Sequence, residues 1–192
     1  MKENENIFHY FLKKKFENFG NEEINNKKGQ TVAKVKFPLY GTNHIIEIQD
    51  LIGQSTYFID RGGLFKKYTF RDSSNNILAR VSKPLLSANK AYLLINKTKK
   101  KFLAIGKLKK WAYEIISKTN NQIIGSVTDL KRSEFNEQYY CLELKNHDEY
   151  SIIILSFVIC INNLNYNGIS NITGFERRIA RLRPFGPGEM KK

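Results

Sequence analysis

The stretch YSIIILSFVICI, Tyr150–Ile161, carries no charge, and Ser151 and Ser156 are its only serines. Wound as a helix it is apolar on every side, so no face tolerates water. Such a helix is either wrapped by protein or spans a membrane. Twelve residues at ~1.5 Å each cover roughly 18 Å, well short of the ~30 Å hydrocarbon core of a bilayer. Asn162 and Asn163 end the run abruptly. The reading favoured is a buried core helix, over a membrane span or a buried strand. The residues before it agree: Asn146 and Glu149 stand at capping-box spacing, and Asp148 and Glu149 bring negative charge to the positive end of the helix dipole. A helix is expected at about residues 148–163, with most of the preceding chain as its wrapper.

That wrapper repeats. Ile24–Val35 reads INNKKGQTVAKV, Phe70–Val81 reads FRDSSNNILARV and Ile116–Val127 reads ISKTNNQIIGSV. The central small residues Ala33, Ala79 and Gly125 are separated by 46 residues in both intervals, and Pro38 and Pro84 keep that offset. A fixed period of this size marks a repeated supersecondary unit. Each copy reads as a hairpin, with a β-rich run, a turn cluster of Asn, Asp, Ser, Lys and Gly, and an alternating apolar run. Thr31, Ala33 and Val35 share one face of the outgoing run, as do Ile77, Ala79 and Val81, and Ile123, Gly125 and Val127, because side chains alternate along a strand. Further hairpins lie between the copies: His44–Ile48 with Thr56–Ile59, and Tyr92–Ile95 with Phe102–Ile105. The aromatic segment Ile7–Phe19 is favoured as strand over amphipathic helix.

The count reaches eleven or twelve strands, ending at Gln138–Leu144. An eight-stranded barrel has room only for its own side chains, whereas about twelve strands can close around a helix ~10–12 Å across. The expected fold is therefore mainly β: a closed antiparallel barrel of about twelve strands around a central C-terminal apolar helix. The small residues Ala33, Ala79 and Gly125 are expected to leave space where the helix passes, with a bend or bulge as the alternative. Residues 1–6 form a polar lead, residues 7–165 the barrel and helix, and residues 166–192 a linker, a short basic helix and a disordered tail. Thr173 and Glu176 would cap that short helix.

At 192 residues the chain fits one domain. Lys and Arg number 32 against 18 Asp and Glu, a formal net charge of +14. This balance suits an anionic partner, whether a membrane surface, nucleic acid or an acidic protein, with solubility as the plain alternative. The two cysteines, Cys141 and Cys160, make no disulfide framework and are expected as free thiols in a reducing compartment. No signal-peptide core opens the chain. The expected location is cytoplasmic, with peripheral membrane attachment as the variant.

Catalytic patterns are missing. His9, His44 and His147 are scattered without ligand spacing, so no metal site is expected. No Walker-type loop, G-x-G-x-x-G or G-x-S-x-G occurs, and Gly62-Gly63 reads as a turn. Enzymatic activity, a catalytic residue and a cofactor are not expected. The remaining signal is basic. Lys97, Lys99, Lys100 and Lys101 occupy a hairpin turn, Lys107, Lys109 and Lys110 precede Trp111, and Lys13–Lys15 form a third group. Loop lysines contribute ~1 kcal/mol each near anionic lipid, and Trp111 would sit at the headgroup level. Arg177, Arg178, Arg181 and Arg183 flank an apolar face of Phe175, Ile179 and Leu182, which suits an interfacial helix or one docked on the barrel. The alternative for the lysines is solvated turns that guard strand edges.

These segments resemble the Tubby C-terminal-like superfamily, most nearly its LURP-one-related branch, with phospholipid scramblases as cousins. The resemblance rests on KKYTFRDSSNNILARVSKPLLS (Lys66–Ser87), WAYEIISKTNNQIIGSV (Trp111–Val127) and the apolar helix after Asp148. It covers roughly residues 7–165. It implies a twelve-stranded barrel closed around a C-terminal helix, and a choice among phosphoinositide binding, lipid movement and undefined roles. A palmitoylation-type cysteine cluster, a proline-rich arm and an acidic calcium loop are missing here, which argues against scramblase activity. The leading expectation is a non-enzymatic module that binds anionic phospholipid at a membrane surface. A protein-interaction barrel is the runner-up, and non-specific nucleic-acid binding ranks below both, since no recognition helix, zinc finger or RRM signature is visible.

Overall fold

The computed structural model describes residues 7–13, 21–37, 45–62, 67–84, 87, 89–130, 139–146, 148 and 150–163. Twelve strands run in chain order: β1 (Phe8–Lys13), β2 (Asn21–Asn26), β3 (Thr31–Lys36), β4 (Ile45–Asp50), β5 (Ser55–Gly62), β6 (Lys67–Asp72), β7 (Ile77–Ser82), β8 (Lys90–Ile95), β9 (Lys101–Lys107), β10 (Ala112–Ser117), β11 (Ile123–Leu130) and β12 (Tyr139–Leu144). Each pairs antiparallel with its sequence neighbours, and β1 pairs with β12 from Phe8↔Leu144 to Lys13↔Tyr139, closing the barrel. Closure leaves no edge strand exposed. A helix, α1, covers residues 151–163. The expected barrel and helix are both present, and β1 takes the first half of the Ile7–Phe19 segment.

Alternation builds the wall. Ile46↔Ile59, Ile59↔Phe70 and Phe70↔Ala79 stand opposite one another across successive strands, and all four are buried. Tyr113↔Val127 and Val127↔Leu142 continue the pattern on the other side. Inside lies α1, where Phe157, Val158, Ile159 and Ile161 have no exposed surface. A helix of this length is marginal alone, so α1 exists because the barrel surrounds it. The helix ends on a buried Asn162 and a half-buried Asn163: Asn162 Nδ2 donates to the Tyr140 hydroxyl (3.4 Å), and the Tyr68 hydroxyl donates to Asn163 Oδ1 (3.3 Å). The asparagines that end the apolar run therefore tether the helix to the wall.

Asp148 caps the start of the helix; of the pair Asn146 and Glu149 expected there, Glu149 lies outside the described residues. Tyr150 N–H donates to Asp148 Oδ1 (2.9 Å), while Asp148 N–H donates to Ser151 Oγ (2.9 Å). This is a reciprocal capping box with serine in the Glu position. It uses the residues that join the first turn, whose Ile154 N–H donates to the Tyr150 carbonyl (2.8 Å).

The 46-residue repeat corresponds to the hairpins β2–β3, β6–β7 and β10–β11. The turns carry it most clearly. Left-handed backbone occurs at Gly29 (φ +78°), Asn75 (φ +66°) and Asn121 (φ +56°), again 46 residues apart. The turns are closed by side-chain oxygens: Asn26 Oδ1 accepts from Lys28 and Gln30 N–H, Asp72 Oδ1 from Asn76 N–H, and Asn120 Oδ1 from Gln122 N–H. Asn75→Val is expected to lower stability by about 1–2 kcal/mol, since a branched side chain opposes left-handed backbone. Asn75→Gly should change little. Urea denaturation of the two variants checks this.

The small residues stand beside bulges, the second of the two readings open for them. Ala33, Ala79 and Gly125 pair with Ile24, Phe70 and Ile115, and each of these large partners adjoins a register shift. A Cβ on Gly125 would meet the Glu143 carbonyl oxygen at 2.5 Å and Leu144 Cδ2 at 2.7 Å. At Gly125 the space is taken by neighbouring β12, not by the helix. A small residue beside a large one keeps the strands at pairing distance around the bulge.

Candidate functional site

Strand parity sorts the loops. Because neighbouring strands alternate in direction, the turns β2–β3, β4–β5, β6–β7, β8–β9 and β10–β11 fall on one rim, together with the exit from β12 into α1. This is the mouth rim. The opposite strand ends, with the 3-10 turn Leu108–Lys110 between β9 and β10, mark the far rim. Neighbouring hairpins of the mouth rim are laced by backbone bonds: Leu51 N–H donates to the Val32 carbonyl, Asn96 to Leu78, Lys118 to Lys101 and Lys145 to Ile124.

Lys97, Lys99, Lys100 and Lys101 all lie exposed on the mouth rim, as expected from their turn. Lys27, Lys28, Lys118 and Lys145 join them there. The Lys100 ammonium stands 4.4 Å from the centroid of the Tyr150 ring, so this turn rests against the helix start. Lys107, Lys109 and Lys110 are also exposed, but they lie at the other end of β9, beside the 3-10 turn Leu108–Lys110. The two lysine groups sit on opposite rims, and one flat surface cannot meet both. Lys13 ends β1 on the far rim, and Lys14 and Lys15 lie outside the described residues. So do Arg177, Arg178, Arg181 and Arg183.

Trp111 requires a correction. Its ring is 5% exposed and stacks on Tyr140 with centroids 4.6 Å apart and planes at 9°. A left-handed backbone (φ +53°) turns it inward after the 3-10 turn. It is a core residue and cannot lie among lipid headgroups.

Sequence reasoning missed the apolar side chains among the lysines. Seven large hydrophobic residues are exposed among the described residues, and Ile7, Phe8, Leu51, Ile52 and Ile123 belong to the mouth rim; Ile52 is the most open at 57%. Two of the rim's aspartates are tied to backbone. Asp50 Oδ1 accepts from Ile52 and Gly53 N–H, and Asp72 is held below the usual carboxylate range chiefly by hydrogen bonds from Asn76. The clue available beforehand was Leu51-Ile52 within a predicted turn, an unusual place for two large apolar residues.

A cavity of about 490 Å³ opens on the same rim, between the β4–β5 turn and the first turn of α1. Tyr10, Asp50, Tyr57, Asp148 and Ser151 supply its polar atoms, and Ala33, Ile52 and Leu155 its apolar wall. Burial, then the carboxylates of Asp50 and Asp148, push the Tyr10 phenol up to about 12. The cavity is thus lined by two carboxylates, two phenols and a serine hydroxyl, within a basic rim.

Both cysteines are free and buried, as expected. Burial, assisted by Glu143, pushes the Cys141 thiol up to about 11, and burial pushes the Cys160 thiol up further. His9 is not the isolated residue the spacing suggests. β1–β12 pairing brings it against Cys141 and Glu143, with the three donor atoms within 4.8 Å of one another. No helix among the described residues is long and apolar enough to cross a membrane.

No family model matches the chain, and no curated protein matches it. Its fold is similar to that of a protein from Arabidopsis thaliana known from an X-ray structure. The TM-score is 0.61 at 15% sequence identity, with 83% of this chain and 91% of that chain covered. A likeness at this identity establishes a shared fold, the closed barrel with one internal helix.

Proposed function

We propose that the protein is a non-enzymatic, cytoplasmic binding module that docks its mouth rim on an anionic phospholipid surface. One observation carries this reading: Ile7, Phe8, Leu51, Ile52 and Ile123 protrude on the rim that also holds Lys27, Lys28, Lys97, Lys99, Lys100 and Lys118. Lysines alone would suit any polyanion. Apolar side chains among them suit an interface where chains insert while ammonium groups meet phosphates. The same reading favours the Tubby C-terminal-like superfamily and its LURP-one-related branch, supported by the repeated hairpins and the barrel likeness.

Co-sedimentation with vesicles tests the proposal. Pelleting is expected with anionic but not neutral vesicles, and it should weaken with salt as the Debye length shrinks from ~10 Å at 0.1 M to ~3 Å at 1 M. Reversing Lys97, Lys99 and Lys100 to Glu removes at least ~3 kcal/mol, or roughly a hundredfold in affinity. Reversing Lys107, Lys109 and Lys110 should leave binding near the native level, because those residues are on the far rim. Equal losses from the two triple variants would overturn the docking orientation. No pelleting with any lipid would overturn the membrane reading and leave an acidic protein surface as the partner to seek.

A further inference from the structure

We propose that His9, Cys141 and Glu143 form a zinc site on the outer wall of the barrel, across the seam where the first strand meets the last. His9 of β1 stands directly opposite Glu143 of β12, and Cys141 lies two residues before Glu143 on the same face of its strand. His9 Nδ1 is 3.4 Å from Glu143 Oε1 and 3.8 Å from Cys141 Sγ. An N–H···O hydrogen bond is best at about 2.7–3.2 Å, so the His–Glu contact is long for a direct bond. These two separations suit a shared ion, and the Cys141–Glu143 pair, within 4.8 Å, would draw together on binding. Donors about 2.0–2.3 Å from a tetrahedral zinc stand roughly 3.3–3.8 Å apart.

The donor set points the same way. Thiolate, imidazole and carboxylate together suit zinc, whereas magnesium and calcium take oxygen donors. The second carboxylate oxygen of Glu143 accepts from Ser126 Oγ at 3.4 Å, an outer contact that orients the ligand. Cys141 binds as thiolate, its proton passing to solvent. Three protein donors leave a fourth position for water. The ion then ties His9 to Glu143, 134 positions apart, and its effect is to stabilise the closed barrel. The site is independent of the lipid reading and stands on different residues.

The test starts from chelator-treated protein titrated with Co²⁺ and then Zn²⁺. One Co²⁺ per chain is expected, with a sulfur-to-metal charge-transfer band that Zn²⁺ abolishes. Cys141→Ser should eliminate the band and Cys160→Ser should retain it. His9→Ala and Glu143→Gln should each weaken zinc by about tenfold or more. Zinc at a hundredfold excess over Kd should raise the Tm of the native protein by roughly 5–10 °C and leave that of the Cys141→Ser variant unchanged. A missing band, or one that survives Cys141→Ser, overturns the site; an unchanged Tm in the native protein overturns the seam role. Should Cys141→Ser fail to fold by circular dichroism, X-ray absorption of the native zinc form decides. One sulfur at about 2.3 Å with nitrogen and oxygen at about 2.0 Å supports the site, and a sulfur-free shell overturns it.

Discussion

Phe157→Ala is expected to lower the unfolding free energy by about 3–5 kcal/mol, much of the ~5–15 kcal/mol that holds a typical domain together. Phe157 lies midway along α1, with no exposed surface. Its ring is surrounded by a closed wall whose strands are fixed by pairing on both sides. Such a wall cannot fall inward to refill the lost volume, so the cost should lie toward the upper end of that range, where cavities persist. Phe157→Leu retains most of the volume and should cost under ~1.5 kcal/mol. Urea denaturation followed by far-ultraviolet circular dichroism measures both. Similar losses for the two variants would mean that the helix shifts within the barrel to refill the space, contrary to the close packing of α1.

Trp111→Ala is expected to cost about 3–5 kcal/mol as well, with no selective effect on lipid binding. The ring is stacked on Tyr140, whose own hydroxyl accepts from Asn162 at the end of α1. Removing the indole therefore loosens the wall and the tether of the helix together. Left-handed backbone at this position opposes alanine as it opposes tryptophan, so no relief of strain offsets the loss. The chain has one tryptophan, which allows a second measurement on the native protein. Its emission should not shift when anionic vesicles are added, since the ring is buried and its loop belongs to the far rim. A blue shift on binding would mean that the far rim meets the membrane, reversing the proposed orientation.

The barrel and its helix were legible because each rests on local patterns. An uncharged run such as Tyr150–Ile161 has few solutions in water, and the hairpin period reappears in the positive φ angles of Gly29, Asn75 and Asn121. The capping of α1 was harder, since Asn146/Glu149 and Asp148/Ser151 have the same spacing. Trp111 follows two lysines in a loop, and nothing local states that its backbone turns the ring inward. The lysine groups could have been sorted by strand parity, since Lys101 and Lys107 bound a single strand. His9, Cys141 and Glu143 could not have been grouped, because only the closing register of β1 on β12 brings them together.

The helix follows, along the chain, every strand that encloses it. During synthesis all twelve strands leave the ribosome before residues 151–163, and β1 waits for β12 before it gains its last partner. Until then the inward faces, with residues such as Ile59, Phe70 and Leu142, have nothing to pack against, and the sheet has open edges. Distant pairing of this kind makes folding slow, on the order of milliseconds to seconds or longer, and the waiting species is prone to aggregate. Filling the interior and joining the seam are then coupled events at the end of folding. The nascent protein should depend on chaperones that shield an apolar concave sheet until α1 arrives.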